Sequence, residues 1–339
     1  MLYVVLFFLL FSLLLYVILA GADFGAGIVE LFSSKESRII TKGTVYRVMG
    51  PIWEANHIWI IIVIVILWIA FPDFYNVLTV YLHIPLTLVL MGITLRGVAF
   101  VFRHYDAYKG RLHKLYDWMF RISSLVTPVF IGLTFGAMVS GKLIITNNYA
   151  AYSFYEVFIA PWFNIFSLLV GFFFMALCAF LSAILLIGEA KKEDINIYLK
   201  KSIVATVLVI LSGFFTLTYG YLNDIIFVTD FIENRYSNYL ILLSAILIYP
   251  LLRSIKKGHK VTSRGLAGAQ VILILTAALI AHFPHLILTS TSEIGLLDNV
   301  ASEKVINSLG IALIIGGSLI LPGLFHLFKS FKIIKVLDL

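Results

Sequence analysis

Charged side chains are scarce in this chain: they make up 13% of its 339 residues, while 61% are hydrophobic. An ordinary soluble domain carries about 25% charge. A water-facing core cannot hide so much apolar surface at this length, which excludes a soluble globular fold and makes lipid the solvent. Cysteine is scarcer still. The single Cys178 lies in an apolar run. It excludes an internal disulfide, a four-cysteine zinc site and an iron–sulfur cluster built by this chain alone, and reads as a small core residue. Low-complexity linkers, soluble modules and clear internal repeats are missing too. Residues 1–339 therefore read as a single transmembrane domain.

Long apolar stretches are abundant instead. About 20 apolar residues cross the hydrocarbon core of a bilayer as a helix. Nine segments qualify: 2–22 (with an apolar continuation to Phe32), 52–71, 75–102, 115–140, 158–188, 201–222, 237–254, 265–282 and 305–328. The predicted fold class is an all-α integral membrane protein of about nine transmembrane helices, arranged as two four-helix bundles plus one peripheral helix.

Basic residues alternate between the two sides. One side takes Lys35, Arg38, Lys42 and Arg47; Arg103, Lys109, Arg111 and Lys114; Lys191, Lys192, Lys200 and Lys201. The same side takes Arg253, Lys256, Lys257, Lys260 and Arg264, then Lys329, Lys332 and Lys335. The other side has only Lys142, Arg235 and Lys304, and Arg96 and Arg121 fall within spans. The positive-inside rule then puts the amino terminus outside and the carboxyl terminus in the cytoplasm. The net charge of +7 thus reflects topology, and no nucleic-acid partner is expected. Ala20-Gly21-Ala22 looks like a signal-peptide cleavage site, but no positive charge precedes the apolar stretch, so a retained anchor is expected.

Against this background a few polar residues stand out. The run Trp53-Glu54-Ala55-Asn56-His57-Ile58-Trp59 opens the second span with a carboxylate, followed by unbroken apolar sequence from Ile60 to Phe71. An ionised carboxylate deep in a bilayer costs about 2.5–3.5 kcal/mol or more, so such residues usually face protein or water and carry protons, ions or substrate. Asp23 lies near the inner end of span one. Arg96 precedes Phe102 by six residues, about 9 Å in from the inner end of span three. Asp117 and Arg121 begin span four. These groups share the cytoplasmic half of residues 1–140, whereas the spans of 141–339 hold in their interiors only Gln270, Asn164 and scattered Ser and Thr. The chemistry is expected in the first, four-helix half, and mainly packing in the second, five-helix half.

Structural readings stand beside these. Arg96 is open to a plain ion pair with Asp23 or with Glu54. Glu30, Asp117 and Arg121 read as interfacial. Gly21, Gly25 and Gly27 let another backbone or a cofactor come close to α-helical residue Asp23. Haem ligation needs two histidines at matching depth on facing helices; His57 with His326, and His83 with His282 or His285, are the pairings available. His57 reads better as a hydrogen-bonding neighbour of the carboxylate.

Four segments resemble subunit II of the cytochrome bd-type quinol oxidases: Gly21-Ala22-Asp23-Phe24-Gly25-Ala26-Gly27; Pro51-Ile52-Trp53-Glu54-Ala55-Asn56-His57-Ile58-Trp59; Leu95-Arg96-Gly97-Val98-Ala99-Phe100-Val101-Phe102-Arg103; and Asp117-Trp118 with Phe120, Ser124, Gly132 and Gly136. The detailed likeness covers about the first 140 residues. It implies a multi-pass subunit of a prokaryotic cell-membrane oxidase that oxidises membrane quinol and reduces dioxygen to water. The partner, subunit I, would carry two b haems and one d haem, and small accessory subunits can join. This chain would bind no metal itself, with a structural quinone as its one candidate cofactor. Asp23 and Glu54 map onto the family's proton route, with Asn56 and His57 orienting water and Arg96 stabilising the ionised state. Trp53 is the candidate cofactor contact near the subunit interface. Two departures are Ala20 and Val101, where the family often has acidic residues. The rival readings are a secondary transporter, for which Pro85 and Pro128 lack counterparts in the second half, and a haem-binding membrane anchor of another respiratory complex.

Overall fold

The computed structural model of the chain describes residues 1–49, 53–105 and 111–330. The expected Gly50, Pro51, Ile52, Lys109, Lys332 and Lys335 lie outside the described residues, as do the side chains of Trp53, Arg111, Lys192 and Lys329. Helix α1 (Leu2–Leu31) takes in both the first span and its apolar continuation. At 1.5 Å per residue it is long enough to cross the ~30 Å hydrocarbon core and emerge. Helix α2 (Lys35–Met49) replaces the expected first basic loop. It buries Thr41, Thr44, Val45 and Val48, a spacing that makes one narrow face, and packs that face on α1 and α8 (Ile165–Glu189).

Helix α3 (Trp53–Ala70) is followed at once by α4 (Pro72–Tyr81), and the two are bent by 116°. Pro72 stands in the first turn of α4, where it has no N–H to continue the α3 ladder and its ring clashes with the preceding turn. The third span, expected from residue 75, is split at Leu82, where α4 ends, and its crossing part is α5 (His83–Tyr105). Helix α6 (Arg111–Val139) contains Pro128. Helix α7 (Phe154–Phe158) opens with a capping box between Ser153 and Glu156. Asn164, expected inside a span, instead caps α8: its side-chain oxygen accepts from the Ser167 N–H at 3.0 Å. That cap satisfies a donor the first helical turn would leave bare, and so the fifth span begins later than residue 158.

The chain continues through α9 (Ile195–Leu222), the short α10 (Ile226–Glu233), α11 (Arg235–Lys256) and α12 (Lys260–His282). A small antiparallel hairpin of β1 (His285–Leu288) and β2 (Glu293–Gly295) follows, and α13 (Glu303–Ser330) ends the described fold. Among the described residues, eight helices are long and apolar enough to cross a membrane, and nine spans result if the bent α3–α4 pair is one. The all-α membrane architecture of about nine spans is thus what the composition implied, with the hairpin an addition.

Helices α1 and α8 form the centre. Helix α1 packs on α3, α6 and α8; α8 packs on α6, α9 and α12; α5 pairs with α6 and α11 with α12. The peripheral ninth helix is α13, resting on α1 and α3. A Cβ at Gly25 would overlap the backbone carbonyl of Cys178, and one at Gly27 would overlap the Ser124 hydroxyl. These two glycines are what let α8 and α6 reach the α1 backbone.

Candidate functional site

Asp23 and Glu30 lie seven residues apart on α1, and Arg96 and Arg103 repeat that step on α5. Seven residues are two turns, so each pair occupies one face of its helix. Arg96 donates from Nη1 to Asp23 Oδ2 at 2.5 Å and from Nη2 to Oδ1 at 2.9 Å. It also donates to the Asp23 backbone carbonyl at 2.8 Å and, through Nε, to Ser124 Oγ at 3.0 Å. Asp23 is 0% and Arg96 1% exposed. Paired charges tolerate such burial best when the fork is bidentate and the remaining donors are used; here four of the five Arg96 N–H groups are engaged.

The second rung pairs the same charges through a single nitrogen. Arg103 Nη2 donates to both oxygens of Glu30 at 2.8 Å, and its Nε lies 2.8 Å from Asp117 Oδ1. Lys42 of α2 closes on Asp117 at 2.7 Å. Phe120 of α6 sits between the rungs, with Arg96 Cζ 4.9 Å and Arg103 Cζ 4.7 Å from its ring centre. The result is a ladder of alternating charge from the half-buried rim at Lys42 to the sealed Asp23. Arg121 stays nearer the rim, donating to the Asp117 carbonyl at 2.9 Å and lying over Trp118.

Of the two carboxylates open to Arg96, the structure pairs it with Asp23. Glu54 is exposed on the first turn of α3 and makes no hydrogen bond or ion pair with the described residues. Asn56 is buried, its Oδ1 without a hydrogen-bond partner among the described residues. His57 is not bonded to a carboxylate as expected. Its ring lies 6.1 Å from that of Tyr16 and 5.8 Å from that of Phe24, and its Nδ1 has no partner among the described residues. Nothing is described of the Trp53 side chain.

Sequence reasoning missed the lower rung. Glu30 reads as interfacial and Arg103 as a loop residue because they lie at span ends, and Lys42 as part of a basic loop. The signal that marks Glu30 and Arg103 is the shared seven-residue step from Asp23 and Arg96; Lys42 carries no such mark. The histidines read as haem candidates have other engagements: His282 Nε2 lies 2.9 Å from the Phe227 carbonyl and its ring stacks on Phe227, while His83 Nδ1 lies 2.8 Å from the Val80 carbonyl. Among the described residues no three His, Cys, Asp or Glu come together around a metal-sized space. An apolar pocket of about 1510 Å³, partly open to the surface, runs along the helices, lined by Leu13, Ile64, Phe174 and Phe214, with Tyr16 and His57 among its polar lining.

A family model described as cytochrome bd terminal oxidase subunit II matches residues 1–331. The cytochrome bd ubiquinol oxidase subunit 2 of Bacillus subtilis (strain 168) is 30% identical over 162 residues, which covers 47% of this chain and 45% of that protein. The cytochrome bd-I ubiquinol oxidase subunit 2 of Escherichia coli (strain K12) is 28% identical over 132 residues, 38% of this chain and 33% of that protein. The matched region is thus less than half the length of either curated relative. Among solved structures, a chain of the bd oxidase from Geobacillus thermodenitrificans aligns with a TM-score of 0.70 at 16% identity. It covers 97% of this chain and 98% of that one, a likeness of fold.

Proposed function

The chain belongs to the cytochrome bd terminal oxidase subunit II family, and on that footing we propose that it serves as the haem-free subunit of a quinol:oxygen oxidoreductase. It is a multi-pass protein of a prokaryotic membrane. Its partner is a subunit I bearing two b haems and one d haem, with membrane quinol and dioxygen as substrates of the complex. The basic end of the bundle faces the cytoplasm and the amino terminus faces out, in keeping with the alternation of lysine and arginine. Residues 1–140 carry the polar chemistry and 141–339 the packing. The apolar cavity beside Tyr16 and His57 suits the isoprenoid tail of a structural quinone, held by contacts such as Leu13 and Phe174.

The observation that carries this reading is Glu54. It is a carboxylate on the outer surface of the chain, at the basic end of an apolar helix, with no countercharge in the described residues. Left against acyl chains it would cost several kcal/mol, so its surroundings come from another polypeptide and from water. Glu54 is the carboxylate placed at the entry of the proton route. Asp23, held by both Arg96 nitrogens, instead fixes a negative charge beside the route and transfers a proton only when that fork opens. Asn56 and His57, within the same turn and about 3–4.5 Å deeper than Glu54, present polar atoms to water.

Oxygen reduction draws protons as it draws electrons, so the route limits turnover. In the assembled complex Glu54→Gln lowers quinol-dependent oxygen uptake at least about tenfold, within the ~10²–10⁴ range of a positioned proton-transfer group, at full haem content. Wild-type turnover in that variant removes Glu54 from the route.

A further inference from the structure

Five polar atoms on α1 and α3 are buried without a hydrogen-bond partner among the described residues: Ser12 Oγ, Tyr16 Oη, Asn56 Oδ1, His57 Nδ1 and Trp59 Nε1. Ser12 is 0%, Asn56 1%, Trp59 3% and Tyr16 4% exposed. Leaving such an atom dry costs about 1–3 kcal/mol, and folded proteins leave few of them. The two helices that carry them, α1 and α3, pack on one another. The Tyr16 ring lies 6.1 Å from that of His57, and Tyr16 and Trp59 belong to one buried cluster with Phe24 and Cys178.

The chemistry of the set selects its occupant. No carboxylate and no ammonium or guanidinium belongs to it, so neither a cation nor an anion is matched. Two hydroxyls, an amide oxygen, an imidazole nitrogen and an indole N–H are neutral donors and acceptors. A buried water needs two to four such partners. The set also lies in line with the charged ladder. Residues 12, 16, 23 and 30 fall within about 40° of one another at 100° per residue, so Ser12 and Tyr16 continue the face of α1 that bears Asp23 and Glu30. Tyr16 stands about 10 Å beyond Asp23 along the axis and Ser12 about 6 Å further. Ala20, between Tyr16 and Asp23, adds no polar atom.

We infer that Ser12, Tyr16, Asn56, His57 and Trp59 enclose a buried chain of water that carries protons from the level of Asp23 to mid-membrane, with the Tyr16 hydroxyl as its relay. The inference rests on the proton role proposed above and extends its path. Each transfer leaves the chain unchanged: Tyr16 Oη accepts a proton from the water on the Asp23 side as its own O–H proton passes to the water beyond. The Ser12 hydroxyl repeats the step. Asn56, His57 and Trp59 hold the waters in line.

The test is Tyr16→Phe in the assembled oxidase, which removes one oxygen and no ring volume. Expected are oxygen uptake lowered about tenfold, a larger solvent isotope effect in D2O, an unchanged haem spectrum, and a lowered Tm because bridging waters lose an anchor. Trp59→Phe, read in the same way, lowers Tm and turnover too, and decides the matter if Tyr16→Phe does not assemble. Wild-type turnover and isotope effect with an equal or raised Tm mean a dry site and overturn the inference. The comparison with Glu54→Gln separates the two readings. If Glu54→Gln is impaired and Tyr16→Phe is not, only the extension falls; if both turn over normally, the route itself falls.

Discussion

Removing Arg96 strands Asp23 as a charge with no water around it. Arg96→Leu is therefore expected to cost about 3–5 kcal/mol, the usual penalty for breaking a buried ion pair from one side. Asp23→Asn combined with Arg96→Leu should recover much of that loss, because neither partner is then left charged. Thermal unfolding of the four members of this cycle measures the coupling directly. Arg96→Lys does not substitute: a single ammonium cannot span both Asp23 oxygens and Ser124 as the guanidinium fork does. The residue scale was partly legible in the sequence. Depth along apolar spans was enough to bring Asp23 and Arg96 into the same leaflet. It was not enough to show that Glu30 and Arg103 are buried, because residues at helix ends are given to solvent by default, and here α2 folds over them. Nor did it show that Glu54 points away from its own chain, since spacing fixes a residue's height but not which neighbour its face meets.

At the level of elements, the contact between α1 and α8 depends on the absence of a side chain. Gly25→Ala places a methyl on the Cys178 carbonyl, so the two central helices must part, at about 1–3 kcal/mol. Gly268→Ala on α12 is the control, with nothing within 4 Å of the new Cβ, and should be neutral or stabilise by up to about 1 kcal/mol through helix propensity. Denaturation midpoints of the two variants in the same detergent test the contrast. Nine crossings could be read from hydropathy because apolar runs of that length have few alternatives in lipid. Helix α2 could not, since its buried face is only four residues of a largely polar segment. The turn at Pro72 and the cap at Asn164 were also hidden: hydropathy registers that a segment is apolar, not where its hydrogen-bond ladder stops.

For the whole molecule, the exposed position of Glu54 and the sealed position of Cys178 make a useful pair. Cys178 is the only cysteine and is 0% exposed, so Glu54→Cys gives a single reactive thiol. Maleimide is expected to label it in the chain purified alone and to be blocked in the assembled oxidase; equal labelling in both would place the partner elsewhere. Large parts of the surface are apolar, including Trp68, Leu90, Phe214 and Tyr249, as a lipid-embedded subunit requires. What keeps such a greasy assembly in register is the common spacing of its two buried ion pairs. Like matched teeth, both engage in one register alone: if α5 slid by one repeat, Arg103 would meet Asp23 while Arg96 lost its carboxylate and Glu30 its guanidinium. Gliding of α5 past α1 along the membrane normal would part at least one of these buried ion pairs, and that cost resists it.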